Sequence, residues 1–343
     1  MRKLLNTLFV TQPDSYLALE NDNVILLQDD SVVGRVPLLN IESIVTFGYR
    51  GVSPSLMGKC VDNNISVTFL TSSGRFKARV IGSSRGNVTL RKEQYRISDD
   101  EKKSCEIARN MIIAKVNNNR WIIERMTREH PLRISLEKFK NSSRTLKEIS
   151  NQINVVDDLE SLRGWEGQAA LNYFGLFDEM ILQQEKDFHF NNRNRRPPRD
   201  PVNAMLSLAY TLLMHDMTAA LETVGLDAYV GFLHRDRPGR ASLALDMIEE
   251  LRGVYADRFV LSLINLKIVS KKHFHFKENG AVLLTDDGRK IFLNQWHKKK
   301  NELITHPYLK EKISWGLVPY SQALLLSRFI RGDLDTYPPF LWK

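Results

Sequence analysis

Residues 242–252 read SLALDMIEELR, a stretch that predicts a helix with acidic side chains set inside an apolar pattern. Asp246 and Glu249 lie three residues apart, so on a helix they project from neighbouring positions on one face. A carboxylate in an apolar setting is costly unless a cation, a partner or water compensates it. A solvated stripe balanced by Arg252 is the simpler explanation for Asp246 or Glu250 taken singly. For Glu249 a functional role is favoured, because a histidine that follows an apolar stretch lies fifteen residues before it.

That histidine, His234, ends the apolar stretch GFLH at residues 231–234, and Glu166 lies within GWEGQAA at residues 164–170. Taken alone, such a histidine is more often a core residue than a ligand, and a single glutamate on a helix is often a surface residue. Together with Glu249 they supply two carboxylates and an imidazole, which suit a divalent cation with open, water-filled positions. The set predicts a Mg²⁺ or Mn²⁺ site rather than structural zinc, which prefers four nitrogen or sulfur ligands.

The composition favours a polyanionic partner. The chain has 343 residues, and its 49 Lys and Arg against 40 Asp and Glu give a net charge of +9. A basic balance is typical of nucleic-acid binding, although on its own it is weak evidence. Cys60 and Cys105 form no CxxC pair, which fits a reducing cytoplasm. The longest apolar stretch, residues 204–214, is too short to span a bilayer, and residues 1–10 lack a signal-peptide pattern. We therefore expect a cytoplasmic protein with no membrane partner.

The first 87 residues predict a small β-rich domain. Short β-branched runs broken by turn residues are typical of strands. The runs that predict strands are residues 24–27, 32–36, 44–47 and 65–70. Residues 54–61 predict a helix between strands, and the glycine- and serine-rich residues 81–87 predict a hinge.

Residues 88–343 predict a larger, mainly α-helical catalytic domain, so the predicted fold class is α+β. Here the apolar period changes to that of helices. Helices are predicted at residues 100–128, 157–174, 201–224, 242–266 and 319–331. Ser242 is predicted to be an N-cap. A hairpin is predicted where residues 282–285 and 290–293 flank Asp287-Gly288, a dipeptide typical of tight turns.

Basic residues are concentrated in three runs that are suited to contact DNA phosphates. They are Arg193, Arg195, Arg196 and Arg199; Arg235, Arg237 and Arg240; and Lys298, Lys299 and Lys300. Such groups neutralise phosphates without reading sequence, although a solvated surface explains any single run equally well. Five aromatic side chains near these runs are suited to stack on bases or, more often, to fill a core. They are Phe188, Phe190, Phe274, Phe276 and Trp296.

Motifs of several other enzyme classes are absent from the sequence. It contains no GxxxxGK[ST] phosphate loop, no GxGxxG after a strand and no HExxH helix. Nucleotide hydrolysis and hydride transfer are therefore disfavoured. We expect a reaction that needs no nucleotide cofactor.

The two motifs GWEGQAALNYF and GFLHRDRPGRASLALDMIEELR, with RRPPRDPVNAMLSLAY between them, resemble those of the CRISPR-associated spacer-acquisition integrases, the family of the first Cas protein. The ending PPFLWK at residues 338–343 is similar to the type I-C branch. The resemblance implies a metal site on Glu166, His234 and Glu249, with Asp246 in support. It also implies a homodimer, and a heterohexamer in which two such dimers are bridged by a dimer of the small second Cas protein. The β-rich domain would then serve dimerisation and shape the DNA platform.

The function that the resemblance implies is the insertion of short foreign DNA fragments into a CRISPR repeat array, for antiviral defence. The substrates would be double-stranded DNA with single-stranded ends and the CRISPR repeat DNA. A DNA 3′-hydroxyl would attack a phosphodiester, with Mg²⁺ or Mn²⁺ as cofactor. Two alternatives stay open. One is a stand-alone metal-dependent nuclease acting on branched or single-stranded DNA, and the other is a non-catalytic DNA-binding scaffold.

Overall fold

Contacts within the chain define two compact units. One consists of Met1–Arg85 and Leu284–Glu302, and the other of Gly86–Leu283 and Leu303–Lys343. This computed structural model describes residues 7–12, 14–29, 31–41, 43–47, 50–63, 65–71, 76–80 and 88–342. The predicted hinge at residues 81–87 lies outside the described residues.

The first unit is built mainly from β-strands. Its elements before residue 85 are β1 (Thr7–Val10), β2 (Tyr16–Glu20), β3 (Asn23–Gln28), β4 (Ser31–Pro37), β5 (Ser43–Thr46), α1 (Pro54–Asp62), β6 (Ser66–Leu70) and β7 (Phe76–Val80). In the described residues β2, β3 and β4 form an antiparallel sheet. A second sheet has the order β1-β5-β6-β7, in which β7 alone is antiparallel to its neighbour. Each predicted strand lies in or overlaps one of these strands.

The core of this unit explains why the β-branched runs form strands. Ile44 and Val67 are fully buried on neighbouring parallel strands, where residues pointing to one face of the sheet meet the core. The predicted helix at residues 54–61 is α1, which begins after Ser53, whose Oγ accepts a hydrogen bond from the backbone N–H of Leu56 at 3.2 Å. Capping of this kind satisfies an N–H that has no partner within the helix.

The remaining elements are mostly helices. They are α2 (Val88–Asp99), α3 (Glu101–Glu129), α4 (Leu136–Ile153), α5 (Leu159–Phe174), α6 (Pro201–Thr223), α7 (Ser242–Leu251), α8 (Arg258–Asn265), β8 (Phe274–Phe276), β9 (Val282–Leu284), α9 (Asp286–Asn301), β10 (Leu303–Thr305), β11 (Lys312–Ser314) and α10 (Val318–Ile330). The predicted α+β class, β-rich first and mainly helical afterwards, is confirmed.

Helix α9 corrects two predictions. Residues 290–293 are helical, and β9 pairs with β8 instead, so the predicted hairpin is wrong. Thr285 caps α9 by accepting the N–H of Gly288 at 3.0 Å, and the acidic residues of the first turn suit the positive end of the helix. The helix also belongs to the first unit, where Lys300 Nζ donates to Thr7 Oγ1 at 3.1 Å. The helical unit therefore does not run unbroken from residue 88 to 343.

The predicted helix at residues 242–266 is also interrupted. A π-helical segment, Arg252–Asp257, separates α7 from α8. Ser242 is not an N-cap, because Ala241 holds that position and the Ser242 side chain is buried. The free N–H groups at the start of α7 are satisfied by the carbonyl oxygen of Ala228, which accepts from Leu243 and Ala244.

Helix α6 forms much of the interior of the helical unit. Among the described residues it is the one helix long and apolar enough to cross a membrane by length and composition, and 67% of its most apolar window is buried inside the fold. A helix that is apolar all round is expected in the core of a protein of this size.

The C-terminal segment is fastened to α7 through one buried carboxylate. Glu250 accepts hydrogen bonds from Gln322 Nε2 at 2.9 Å, from the Tyr337 hydroxyl at 2.6 Å and from the Phe340 N–H at 2.9 Å. Asn118 on α3 holds the same segment by donating to the carbonyl oxygens of Glu250 and Phe340. This network explains why an acidic residue occupies the apolar side of α7.

Burial raises the pKa of Glu250 from 4.5 to about 7, against the opposing effect of its three hydrogen-bond donors. Because the folded-state pKa lies above the unfolded value, this group contributes stability below about pH 4.5 and loses it as the pH rises through about 7. The difference corresponds to on the order of 3 kcal/mol.

We expect wild type to lose about that much stability between pH 5 and pH 8 relative to Glu250→Gln, measured by urea denaturation. The exposed Glu137→Gln serves as control and should keep the wild-type profile; parallel profiles for Glu250→Gln and wild type would contradict the assignment.

Candidate metal centre

The structure places the three predicted ligands on one cleft of the helical unit. Glu166 comes from α5, Glu249 from α7 and His234 from the loop before α7. The cleft has a volume of about 470 Å³. Its other lining residues are Glu160, Arg163, Leu233, Arg235, Arg237 and Arg240. Side chains from distant parts of the sequence therefore face a common space, bordered by arginines.

His234 is oriented by Asp246. The Asp246 carboxylate is fully buried and accepts the backbone N–H groups of Phe232 at 2.7 Å, Leu233 at 2.9 Å and His234 at 3.1 Å. It also bonds His234 Nδ1. We assign the tautomer with a proton on Nδ1, which leaves Nε2 as the ring nitrogen that can bind a ligand. Asp246 is thus a positioning residue, in the arrangement that metal-binding histidines commonly show.

The segment that leads into His234 is held closely by its neighbours. A Cβ atom at Gly231 would lie 2.7 Å from Asp246 Oδ2 and 2.9 Å from the backbone carbon of Ser242, so only glycine fits there. On α2, Gln94 donates to the carbonyl oxygens of Asp227 and Val230, each at 2.8 Å. These contacts fix the backbone of the segment that precedes His234.

Lys115 lies between the two glutamates. This residue of α3 is buried, its Nζ hydrogen-bonds Glu166, and it lies 2.7 Å from Glu249 Oε2. Arg252 Nη1 lies 2.9 Å from the other oxygen of Glu249. Burial would raise the pKa of Glu249, but Arg252 and Lys115 together lower it to about 2. Glu249 is therefore ionised at neutral pH.

The donor atoms fit a divalent cation, although among the described residues no three His, Cys, Asp or Glu side chains already form a cluster around one point. Glu249 Oε2 is buried and lies 2.7 Å from Lys115 Nζ, so a cation that binds this oxygen takes the place of that ammonium group. The side chains of Glu166 and His234 are 28% and 24% exposed. Two carboxylates and an imidazole suit Mg²⁺ or Mn²⁺, provided that the Lys115 ammonium group moves aside.

Lys115 escaped the sequence analysis, but its spacing carried a signal. It follows Ile107 and Met111 at intervals of four residues on α3, and both of these are buried. A lysine at a core position of a helical pattern requires a buried anionic partner. The signal indicates the presence of a partner and leaves its identity open.

The predicted DNA-contacting residues divide into exposed and buried groups. Arg195, Arg196, Arg199, Arg235, Arg237 and Lys298 are exposed, and Arg240 is partly exposed at the cleft. Lys299 pairs with Glu302 at 2.6 Å.

Two of these residues have internal partners. Arg193 donates to Asn203 Oδ1 at 2.6 Å and Ser207 Oγ at 3.1 Å, and its guanidinium lies 5.2 Å from the centre of the Tyr210 ring. Lys300 is 3% exposed and bonds Thr7. Both cations make internal contacts, and their contact with DNA phosphates stays a prediction.

The candidate stacking aromatics belong mostly to the interior. Phe188, Phe190, Phe274 and Trp296 are buried, whereas Phe276 is 54% exposed. Phe276 lies on β8, whose partner β9 bonds the basic loop through the Val282 N–H and the carbonyl oxygen of Pro198 at 2.8 Å. Base stacking thus stays a prediction for Phe276 alone.

Together these features define an α+β protein whose helical unit carries a glutamate and histidine cleft bordered by arginines. The model of the family CRISPR associated protein Cas1 matches residues 8–298. The CRISPR-associated endonuclease Cas1 1 of Chlorobaculum tepidum is 46% identical over 343 residues, which cover 100% of both chains. The chain therefore belongs to the Cas1 family.

Solved structures with low sequence identity share the fold. A casposase bound to integration product is 21% identical with a TM-score of 0.85, over 99% of this chain and 95% of that one. A chain of a Cas6-RT-Cas1–Cas2 complex is 22% identical with a TM-score of 0.81, over 99% of this chain and 36% of that one. Their likeness establishes the fold, and the family assignment rests on the sequence matches.

Proposed function

We propose that this protein is a metal-dependent DNA endonuclease and integrase that inserts short DNA fragments into a CRISPR repeat array. The observation that carries the proposal is the meeting of Glu166, His234 and Glu249 on one cleft bordered by arginines. Membership of the Cas1 family supports it, as does a relative named an endonuclease that aligns over the whole chain.

Some residues of the cleft are suited to bind the cation and others to contact DNA. Glu166, Glu249 and His234 Nε2 would hold Mg²⁺ or Mn²⁺, which when bound polarises a phosphodiester and stabilises the charge that develops during displacement. Glu249 is ionised, as a cation requires, and Asp246 orients the His234 ring. Transesterification conserves the number of phosphodiester bonds, which agrees with a sequence that lacks a nucleotide-binding loop.

The arginines fall into two roles. Arg163 donates through Nε and Nη2 to the carbonyl oxygen of Leu233, at 3.0 and 2.7 Å, and so supports the histidine loop. Arg235 and Arg237 line the cleft and are exposed, which suits contact with the phosphates beside the reacting bond. The exposed arginines at 195, 196 and 199 would extend this surface along the DNA.

Replacing both Arg195 and Arg196 with Ala should weaken DNA binding. The slope of log affinity against log salt concentration should become shallower by about 2, because each lost phosphate contact releases about one counterion fewer. The measurement is DNA affinity at several salt concentrations. Lys102 and Lys103, exposed at the first turn of α3 and absent from the cleft lining, provide the matched control. A slope equal to that of wild type would exclude the loop from phosphate contact.

The partners follow from the family. A fold neighbour is described as a complex of Cas1 with Cas2, which supports assembly with a small second Cas protein. The homodimer, the heterohexamer, the DNA with single-stranded ends and the repeat target remain part of this proposal. The type I-C subtype and the cytoplasmic location also remain predictions.

Product analysis separates the proposal from its rivals. The protein is incubated with Mn²⁺, a short duplex bearing 3′-hydroxyl ends, and a repeat-containing target. Integration yields branched strand-transfer products, whereas a stand-alone nuclease yields only shortened fragments. A DNA-binding scaffold yields neither, with or without the metal.

A further inference from the structure

We propose that Lys115 is a built-in counter-cation, which holds Glu166 and Glu249 together in the metal-free protein and gives way when a divalent cation binds. The inference rests on the proposed metal centre. It assigns to Lys115 the roles of positioning the ligands and of competing with the metal.

The contacts of Lys115 are those of a cation shared by two carboxylates. Its Nζ bonds Glu166 and lies 2.7 Å from Glu249 Oε2, and its side chain is only 7% exposed. The three residues come from three helices, α3, α5 and α7. Helix α3 packs against both α5 and α7, and Lys115 adds an ionic link among the three helices.

Without this ammonium group the two carboxylates would repel each other across the same space. Arg252 reaches Glu249 Oε1 at 2.9 Å, and no contact joins it to Glu166 among the described ion pairs. Glu249 is 3% exposed, so water screens its charge poorly. Lys115 is thus the one described cation that lies within ion-pair distance of both glutamates.

The same position makes Lys115 a competitor of the metal. A divalent cation that uses Glu249 Oε2 and Glu166 must take the place that the ammonium group occupies. Lysine is suited to this exchange because it is a single point charge on a flexible stem of four carbons, whereas an arginine would hold a carboxylate through two parallel bonds. The adjoining cleft of about 470 Å³ gives the displaced side chain room.

The test uses Lys115→Met, which keeps an unbranched side chain only one heavy atom shorter and removes its charge. Mn²⁺ affinity of the full chain is measured by titration calorimetry, and thermal unfolding is followed with and without Mn²⁺. We expect the metal-free variant to unfold several degrees below wild type, Mn²⁺ to bind at least tenfold more tightly, and the rise in unfolding temperature on adding Mn²⁺ to exceed that of wild type.

Lys300→Met is the matched control. Lys300 is also a buried lysine, but both it and its partner Thr7 belong to the first unit, whereas the metal centre lies in the helical unit. Its loss should lower the unfolding temperature and leave Mn²⁺ affinity within twofold of wild type. Lost stability alone would affect both variants, whereas tighter metal binding is specific to Lys115.

The outcomes distinguish this inference from the proposed function. A wild-type protein that binds no Mn²⁺ at the cleft would overturn the metal centre. If wild type binds Mn²⁺ and Lys115→Met binds it equally or more weakly, the role of Lys115 as counter-cation is overturned, and the proposed metal centre is not. Should Lys115→Met not fold, Lys115→Arg decides: we expect it to bind Mn²⁺ severalfold more weakly than wild type, and equal or tighter binding overturns the inference.

Discussion

Glu166→Ala, His234→Ala and Glu249→Ala should each lower metal-dependent cleavage and strand transfer by roughly 1,000-fold or more, while DNA binding stays within about threefold of wild type. The reason is that each change removes one of the side chains proposed to hold the cation, whereas the basic surface proposed to meet DNA phosphates is unaltered. Steady-state rates with Mn²⁺ and equilibrium DNA binding are measured on the same preparations.

The cleft itself supplies a matched control for these variants. Glu160 is another carboxylate that lines it, and its side chain is exposed. Glu160→Ala should retain activity close to that of wild type, because the proposed ligand set does not include it. Full integration activity in any one of the three ligand variants would refute the assignment of that residue.

The second large effect is expected at Asp246, which never needs to touch the metal. Asp246→Asn should weaken Mn²⁺ binding by roughly 10- to 100-fold, because an amide cannot accept from three backbone N–H groups and the imidazole as the carboxylate does. It should also cost about 3 kcal/mol of stability, since buried donors lose a charged acceptor. Metal titration and urea denaturation measure the two effects.

Asp236→Asn provides the comparison for Asp246→Asn. Asp236 is exposed in the same loop, two residues after His234, so its loss changes the net charge equally. It should leave both metal affinity and stability near wild type. If Asp246→Asn kept wild-type metal affinity, the orientation of His234 would not depend on that carboxylate.

The elements that the sequence predicted well are those whose pattern is local. Helix α6 was expected at residues 201–224 and spans Pro201–Thr223, because Asp200 caps it and Pro201 begins its first turn. Strand β3 was expected around residues 24–27 for the same kind of reason, a β-branched run between turn residues. Each signal lies within the element or in the residues next to it.

The hairpin prediction failed because of a local cap, whereas the surroundings of two basic residues depend on partners elsewhere in the fold. Asp287-Gly288 is typical of a tight turn, but the cap supplied by Thr285 makes it the start of α9. Arg193 and Lys300 looked like surface cations, and their partners, Asn203 and Thr7, appear only when the chain is folded. The spacing of charges along a sequence does not reveal which of them fold inward.

The candidate site shows the same division. The motifs identified Glu166, His234 and Glu249, and the structure places them on one cleft. Lys115 was missed because its two partners lie on other helices, 51 residues away in the case of Glu166. The core spacing of Lys115 on α3 indicates a buried anionic partner, but an ion pair between helices leaves no spacing rule that identifies that partner.

Diffraction from crystals of the full chain grown with Mn²⁺, recorded at wavelengths on both sides of the manganese absorption edge, tests the central claim most directly. The account predicts one strong anomalous peak in the cleft, at about 2.0–2.3 Å from oxygens of Glu166 and Glu249 and from Nε2 of His234, with the Lys115 ammonium group moved away from Glu249. A saturated crystal in which Lys115 still bridges the two glutamates, and manganese is absent from the cleft, would contradict it.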